Sequence, residues 1–353
     1  MSDAATDING RRPTIALLVG DVAGIGPELV LKALASRSTY SLCRPVVIGD
    51  AAVLADSMRL LDSPLRVAIV DDIAQVSGEY GTVDVLAPDW EGFRSIPRGE
   101  VDAAAGRFAG VCLERAIDLA ADGLVDGIAW APINKQAFNL GGYHYRDEIE
   151  FLADRTQSTD ARLFGVVDQL WVTPVTLHIP FRDVADMITL ESVLDSITAL
   201  DRVLRHLGRP EPAIAVAALN PHAGDGGLLG MEEIEHIAPA VADARAHGVR
   251  AHGPFPADSV FPRAAAERYD GIVCMHHDQA NIARKLHPFP GAATVVTGLP
   301  VPVGTTAHGT AYDRVGTGTA DPGSLLTAMG QVAGLAGAAA PVPGSGMLMP
   351  GRA

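Results

Sequence analysis

The sequence has few cysteines and few aromatic side chains, and it has no long hydrophobic run. Only three of its 353 residues are cysteines, and aromatic residues make up 5%. The cysteines are too far apart in sequence for a zinc knuckle or a disulfide framework. No apolar stretch reaches the roughly 18 residues that a membrane span needs. We therefore expect a reduced, cytoplasmic protein that has no contact with a membrane.

Positive charge is also scarce. The chain has 27 Lys and Arg residues against 42 Asp and Glu residues, which gives a net charge of −15. Such an acidic protein is not expected to bind nucleic acid or an anionic membrane surface. Its content of 48% hydrophobic and 20% charged residues is typical of a globular protein. Residues 1–12 are polar and lack the apolar core of a signal peptide, so we predict a flexible leader there.

Short apolar runs alternate with helical patterns along the chain. The apolar runs predict strands at 13–19, 44–50, 127–135, 172–177, 213–219, 271–275 and 293–299. The helical patterns predict helices at 29–34, 51–61, 101–122, 191–207, 231–247 and 328–340, and another that starts near Asp147. Residues 80–99 and 304–310 are predicted loops. This alternation predicts an α/β fold with a largely parallel sheet.

Three of the predicted strands lead into histidines: His178, His222 and His277. In open α/β sheets, ligands bind outside the carboxyl ends of strands. Neutral imidazoles are the commonest metal ligands, so the pattern indicates a metal site. Each histidine taken alone is more often a surface or hydrogen-bonded residue, and this alternative stays open. His276 should point to the other face of its strand.

Other polar residues have two interpretations each. The glycine-rich segment 20–28 joins a predicted strand to a predicted helix, either as a tight turn or as a ligand loop. Lys135 is either solvated or directed at an anionic ligand. Asp258 could act as a base or hold a ligand histidine, or it could simply cap a helix. Lys285 could face an anionic substrate.

Six motifs in order carry a family resemblance. They are Gly20-Asp21 with Gly24–Glu28, Thr176–His178 with Arg182–Asp186, Asn220–Gly224, Pro256–Asp258, His277–Gln279 and His308–Thr310. Together, from about Thr14 to Met329, they resemble the 4-hydroxythreonine-4-phosphate dehydrogenase (PdxA) family.

The resemblance implies a two-domain fold similar to that of the isocitrate and isopropylmalate dehydrogenases, with the active site in the cleft between the domains. We expect one domain at 13–135 and 300–345 and another at 136–299. The resemblance also implies a homodimer whose metal site takes histidines from both subunits. The implied cofactors are NAD or NADP and one divalent metal ion, which could be Zn, Mg, Mn or Co.

The resemblance also assigns residues to roles. The metal ligands would be His178, His222 and His277. Lys285 and Asp258 would act in catalysis, with Asp258 taking the proton of a hydroxyl group. Lys285 would bind the substrate, and we expect it to orient the substrate carboxylate, with Lys135 as a further candidate for this role. Cofactor binding is assigned to Gly304, Thr305, His308 and Gly309.

Four substrate positions depart from the family pattern. A His-Thr pair is replaced by Glu148 and Ile149, an Asn by Thr294 and an Arg by Val303. Because an acid repels a phosphate dianion and valine cannot donate hydrogen bonds, we expect a non-phosphorylated β-hydroxy acid, such as a terephthalate-type cis-dihydrodiol from aromatic catabolism. Its oxidation would be followed by decarboxylation. The alternatives are 4-hydroxythreonine-4-phosphate, from pyridoxine biosynthesis, and a catalytically inactive ligand-binding relative.

Overall fold

The computed structural model describes residues 11–90, 96–286 and 291–337. Most of the predicted leader (residues 1–10), the end of the last predicted helix (338–340) and the predicted domain end at residue 345 lie outside these ranges. The strands within the described ranges are β1 (Thr14–Leu18), β2 (Arg44–Ile48), β3 (Arg66–Val70), β4 (Thr82–Leu86), β5 (Gly127–Trp130), β6 (Arg162–Val167), β7 (Leu170–Thr176), β8 (Ala213–Ala217), β9 (Arg250–Phe255), β10 (Gly271–His276), β11 (Ala293–Thr297) and β12 (Val303–Thr306).

The helices alternate with these strands along the chain. The α-helices within the described ranges are α1 (Gly26–Leu34), α2 (Arg37–Leu42), α3 (Ala51–Leu61), α4 (Ala103–Ala121), α5 (Lys135–Leu140), α6 (Glu148–Arg155), α7 (Val184–Met187), α8 (Leu190–His206), α9 (Ala238–Ala246), α10 (Ala257–Glu267), α11 (His277–Leu286) and α12 (Gly323–Gly337). Among them, none combines the length and the hydropathy of a segment that spans a bilayer.

One compact unit consists of residues 11–161 and 293–337. Its strands follow the order β3-β4-β2-β1-β5-β12-β11. All neighbours in this order are parallel except β11 and β12. Each residue of the central strand β1 is at most 1% exposed, because helices cover the sheet on both faces and a continuous apolar run suits such a strand. The rings of Trp130, Phe108 and Phe138 fill the core of this unit.

Residues 162–292 form a second compact unit. Its strands follow the order β6-β7-β10-β8-β9, and only β6 and β7 are antiparallel. The three strands that lead into His178, His277 and His222 are β7, β10 and β8, which are adjacent and parallel. Their carboxyl ends therefore lie along the same edge of the sheet.

The predicted α/β fold with largely parallel strands is confirmed. Helices α3, α4 and α8 match their predicted bounds to within two residues. The two loop predictions were wrong in part, because residues 82–86 form β4 and residues 303–306 form β12. The predicted domain boundaries at 135/136 and 299/300 stay a prediction, and the two compact units divide the chain at other residues.

Candidate active site

Side-chain hydrogen bonds tie the ends of β7, β10 and β8 to one another. The hydroxyl of Thr176, the last residue of β7, donates to the carbonyl of Met275 in β10 at 3.0 Å. The amide oxygen of Gln279 accepts from the backbone N–H of Met275 at 2.9 Å. The amide nitrogen of Gln279 donates to the carbonyl of Ala218, just after β8, at 3.0 Å. These contacts fix the segments from which the three histidines project.

His178 and His277 lie side by side. Their ring centroids are 5.4 Å apart. Two imidazoles bound to one tetrahedral ion, with metal–nitrogen distances of about 2.1 Å, have centroids about 5.2 Å apart. Nδ1 of His277 contacts the carboxylate of Asp278 at 2.8 Å, an arrangement that orients a ligand ring and leaves Nε2 for a ligand bond. The pair therefore fits a divalent metal ion.

His277 does not lie on a strand, contrary to the prediction from strand alternation. Strand β10 ends at His276, and His277 begins α11. The ring of His276 instead packs edge-to-face on Phe181, with centroids 5.4 Å apart. The prediction that only one of these two histidines enters the site stays a prediction.

His222 is exposed and lies in a left-handed turn after β8. Within the described ranges, no group of three His, Cys, Asp or Glu side chains could hold a metal ion. A single chain thus brings together His178 and His277, and it does not add His222 to them. The role of His222 as a ligand stays a prediction.

Asp258 and Lys285 are exposed on helices of the second unit. Asp258 lies in the first turn of α10, and Lys285 lies in the last turn of α11. The neighbouring Arg284 is buried, packs on Gly165 and donates to Asn281 Oδ1 at 2.6 Å. Burial lowers the pKa of Arg284 to about 10. Lys285 is therefore the cation of this pair that is available to a solute.

In the first unit, Lys135 and Glu148 are near each other. Lys135 begins α5 and is exposed, so it does not lie at a strand tip as predicted. Glu148 begins α6, is 9% exposed, and follows Asp147, which caps the helix. Burial raises the pKa of Glu148, and Lys135 opposes this effect. The Trp130 indole also lowers the pKa of Glu148. The indole N–H and the carboxylate nevertheless do not have the geometry of a hydrogen bond, and Oε2 of Glu148 has no hydrogen-bond partner among the described residues.

The other substituted substrate positions are wholly or partly inside the protein. Val303 is completely buried in β12, opposite Val296 of β11 and Ile128 of β5. Thr294 is 8% exposed, and Ile149 is half-buried. Their contact with substrate stays a prediction.

The predicted cofactor positions have two different environments. Gly304 and Thr305 are buried in β12, where the Thr305 hydroxyl donates to the carbonyl of Trp130 at 3.1 Å. A side chain at Gly304 would come within 2.8 Å of Val332 in α12. His308 and Gly309 are exposed beyond the strand. Among these residues, His308 and Gly309 are the ones that a bound cofactor could reach directly.

The glycine-rich segment 20–28 forms a turn that leads into α1 at Gly26, and its glycines have packing reasons. A role of this segment as a ligand loop stays a prediction. A side chain at Gly26 would come within 1.9 Å of the carbonyl of Val19. Two buried acids in this segment contact the chain beyond β12, since Asp21 accepts a hydrogen bond from Tyr312 and Glu28 accepts one from the backbone of Gly316. Sequence patterns did not indicate these contacts. The one feature of the sequence that could have indicated these two hydrogen bonds is the presence of two acids in an otherwise apolar stretch.

Comparison with known proteins gives a consistent result. Residues 41–332 match the family described as "Pyridoxal phosphate biosynthetic protein PdxA". A 4-hydroxythreonine-4-phosphate dehydrogenase from Desulforapulum autotrophicum is 38% identical over 90% of this chain and 94% of its own length. The crystal structure of a 4-hydroxythreonine-4-phosphate dehydrogenase from Klebsiella pneumoniae has 39% identity and a TM-score of 0.78, covering 92% of this chain and 99% of its own.

A third similar protein acts on another substrate class. The crystal structure of a terephthalate 1,2-cis-dihydrodiol dehydrogenase from Burkholderia xenovorans has 29% identity and a TM-score of 0.64, with 92% of this chain and 98% of its own covered. The family match and the relatives each span most of the chain. This chain therefore belongs to the PdxA family and is an NAD(P)-dependent dehydrogenase of that family.

Proposed function

We propose that the protein oxidises the secondary alcohol of a small phosphorylated β-hydroxy acid, of the class of 4-hydroxythreonine-4-phosphate, with NAD or NADP as the hydride acceptor. The resulting β-keto acid then loses carbon dioxide. Dehydrogenases of this family use NAD(P) and a divalent metal ion. The observation that carries the proposal is the His178–His277 pair, whose 5.4 Å separation fits such an ion.

The identity of the substrate rests on the relatives. Two proteins named for 4-hydroxythreonine-4-phosphate are 38% and 39% identical to this chain, whereas the terephthalate dihydrodiol enzyme is 29% identical. This difference supports the phosphorylated substrate, which was the alternative in the sequence-based expectation, over the non-phosphorylated substrate that was preferred there.

A terephthalate-type cis-dihydrodiol remains the second candidate because of the residues around Glu148. A buried carboxyl group stands where the family has a histidine, and Val303 is completely buried where the family has an arginine. Neither side chain supplies a positive charge to a phosphate group. A carboxylate group carries one negative charge where a phosphate group carries up to two, so a dicarboxylate substrate places less negative charge beside these residues.

The chain's own residues have the following proposed roles. Asp258, exposed at the start of α10, accepts the proton of the substrate hydroxyl, and Lys285 orients the carboxylate. A bound divalent ion would polarise the hydroxyl oxygen as a Lewis acid. The hydride leaves the hydroxyl-bearing carbon for oxidised NAD(P), which gives a β-keto acid. Its carboxylate then departs as carbon dioxide, the electron pair of the broken C–C bond forms an enolate, and the enolate takes up a proton from water to give the ketone.

We further propose that the third imidazole, His222, comes from a second copy of the chain. The second unit has large exposed apolar side chains suited to such an interface: Phe181, Leu228, Ile282 and Leu286. Ile282 and Leu286 are one helical turn apart on α11, the helix that begins with His277. Large apolar side chains that are exposed on one helix face are suited to contact with another protein surface.

Mixed dimers test the shared site. We would combine a His222→Ala variant with a His277→Ala variant, each inactive alone, and measure metal-dependent NADH formation. If each site takes His222 from the opposite subunit, a mixed dimer has one intact site, and a random mixture recovers about one quarter of wild-type activity. Recovery close to zero in demonstrated mixed dimers would place all three ligands in one chain.

Parallel assays test the substrate. The metal-loaded enzyme is given 4-hydroxythreonine-4-phosphate or a terephthalate-type cis-dihydrodiol, with NAD and NADP in separate reactions, and kcat/KM is measured. We expect turnover of the phosphorylated acid. Activity confined to the dihydrodiol would establish the second candidate and would give the replacements at 148 and 303 a functional reason.

A further inference from the structure

The turn that carries His222 has an unusual backbone. Five consecutive residues from His222 to Gly226 have φ values between 45° and 77°, in the left-handed region. Three of these, His222, Ala223 and Asp225, are not glycine. Residues with side chains rarely enter this region, and then as single residues, because the Cβ atom approaches the following carbonyl oxygen. A left-handed turn of this length persists only where the surrounding structure holds it.

A single buried carboxylate holds the residues just before this turn and lies against Gly224 in its middle. Glu233 is 3% exposed. Its Oε1 atom accepts hydrogen bonds from the backbone N–H groups of Leu219 and Asn220, at 2.8 and 2.7 Å. Its Oε2 atom accepts from the side-chain amide of Asn220 at 2.9 Å. The same oxygen lies 2.7 Å from the point where a Cβ atom on Gly224 would be.

We propose that Glu233 is a positioning residue for His222: its carboxylate fixes the left-handed turn in the one conformation that presents the imidazole to the metal ion. This inference rests on the proposed role of His222 as a ligand. The chain bends back through residues 224–230, so that one side chain reaches both the residues before His222 and the glycine two residues after it. Groups that orient metal ligands without touching the ion commonly change metal affinity strongly when they are removed.

The neighbouring Glu232 does not share this role. It is half-buried, and its carboxylate accepts from the side-chain amide of Asn220 at 2.6 Å. Backbone N–H groups of residues 231 and 232 also act on this carboxylate and lower its pKa. It makes no bond to the backbone of the turn. Glu232→Gln is therefore a control for the loss of one negative charge near Asn220, and Glu233→Ala removes the carboxylate that holds the turn.

Two glycines give a second, matched pair. Gly224 and Gly226 both have left-handed backbones, with φ of 77° and 68°, so an alanine at either position introduces similar backbone strain. A Cβ atom on Gly224 would collide with the Glu233 carboxylate, whereas a Cβ atom on Gly226 would meet nothing within 4 Å. Gly224→Ala thus displaces the Glu233 carboxylate without removing it. Gly226→Ala measures the effect of the backbone strain alone.

The experiment measures Co²⁺ and Zn²⁺ binding to the full chain by isothermal titration calorimetry, without substrate or cofactor, alongside thermal unfolding. Glu233→Ala and Gly224→Ala should each weaken metal binding by about tenfold or more. Glu232→Gln and Gly226→Ala should bind within about twofold of wild type, and His222→Ala should weaken binding at least as much as Glu233→Ala.

The outcomes separate the inference from the proposed function. Wild-type metal affinity in Glu233→Ala or, should that variant not fold, in Gly224→Ala would make Glu233 a purely structural residue and overturn the inference. If His222→Ala also bound metal like the wild type, the proposed ligand set itself would be wrong. Equal losses in Gly224→Ala and Gly226→Ala would attribute the effect to backbone strain and would likewise overturn the role of Glu233.

Discussion

The phenol of Tyr312 donates a 2.6 Å hydrogen bond to Oδ2 of Asp21, a carboxyl group with no exposed surface. The other oxygen of Asp21 accepts from the backbone N–H of Ala23 at 2.9 Å. Burial raises the pKa of Asp21, and the hydrogen bond from Tyr312 opposes this effect. The pair joins the glycine-rich turn after β1 to the segment that follows the predicted cofactor residues.

The first prediction concerns this hydrogen bond. Tyr312→Phe leaves one oxygen of a buried carboxyl group without its donor, which should lower the free energy of unfolding by about 1–3 kcal/mol. Tyr145→Phe is the control, because its phenol contacts Asp154 on the surface and its loss should cost well under about 1 kcal/mol. Urea denaturation measures both values. Equal losses of unfolding free energy in Tyr312→Phe and Tyr145→Phe would show that the burial of Asp21 does not make its hydrogen bond more stabilising than the exposed one.

A pair of helix glycines gives opposite expectations. In α4, a Cβ atom on Gly106 would lie 1.8 Å from the carbonyl oxygen of Ala137, so Gly106→Ala must push α4 and α5 apart and should destabilise the protein by about 1–3 kcal/mol. In α12, a Cβ atom on Gly330 would meet only Leu42 at 3.8 Å, an ordinary contact. Gly330→Ala should therefore stabilise the protein by about 0.5–1 kcal/mol. Thermal and urea unfolding compare the two; the same sign in both would contradict the packing argument.

The sequence predicted most of the strands whose apolar runs are continuous, although β6 was not predicted and β4 was predicted as a loop. Strand β4 was predicted as part of a loop that contains Pro88 and Pro97, and Asp84 lies at the centre of this strand. That carboxylate is buried and accepts three hydrogen bonds from Ser77 and Gly78, so the sheet tolerates it. Strand β3 was not predicted, and in the structure only Val70 of its side chains is buried, while Ile69 is exposed. Such strands depend on partners that local patterns do not reveal.

The residues of the candidate site also fall into those that the sequence indicated and those that it did not. His178 and His277 were found because each follows an apolar run, and the parallel order of β7 and β10 then brings their rings together. Glu233 gave no signal, because its partners are backbone groups 13 and 14 residues earlier in the chain. The glycines around His222 indicated an irregular backbone. They did not indicate which side chain holds it.

The three cysteines should not react in the folded protein. Cys43, Cys112 and Cys274 are each at most 1% exposed. Burial raises the pKa of Cys43 to about 12 and raises the pKa values of the other two thiols as well, so the reactive thiolate is scarce near neutral pH. Titration with a thiol reagent should detect almost no thiol at pH 8 and three after unfolding in guanidinium chloride. Rapid reaction of a native thiol would reveal an opening of the core.

The last prediction concerns the stability cost of a buried acid. Burial raises the pKa of Glu148 above its ordinary value of 4.5, and the nearby Lys135 only partly offsets this. For an acid whose pKa is higher in the folded than in the unfolded state, folding is favoured most below the unfolded value, and stability is lost as the pH rises through the folded value. Glu148→Gln removes this titration and keeps the shape of the side chain.

The variant should therefore gain stability relative to the wild type as the pH increases from about 4.5, by up to about 1.4 kcal/mol per pH unit until the folded pKa is passed. Urea unfolding between pH 5 and pH 8 measures the difference. Glu79→Gln, at an exposed position of the same unit, should follow the wild type at every pH. If the stability difference between Glu148→Gln and the wild type did not change with pH, Glu148 would keep its charge in the folded protein. Lys135 and the Trp130 indole would then stabilise its carboxylate as a fixed negative charge in the first unit.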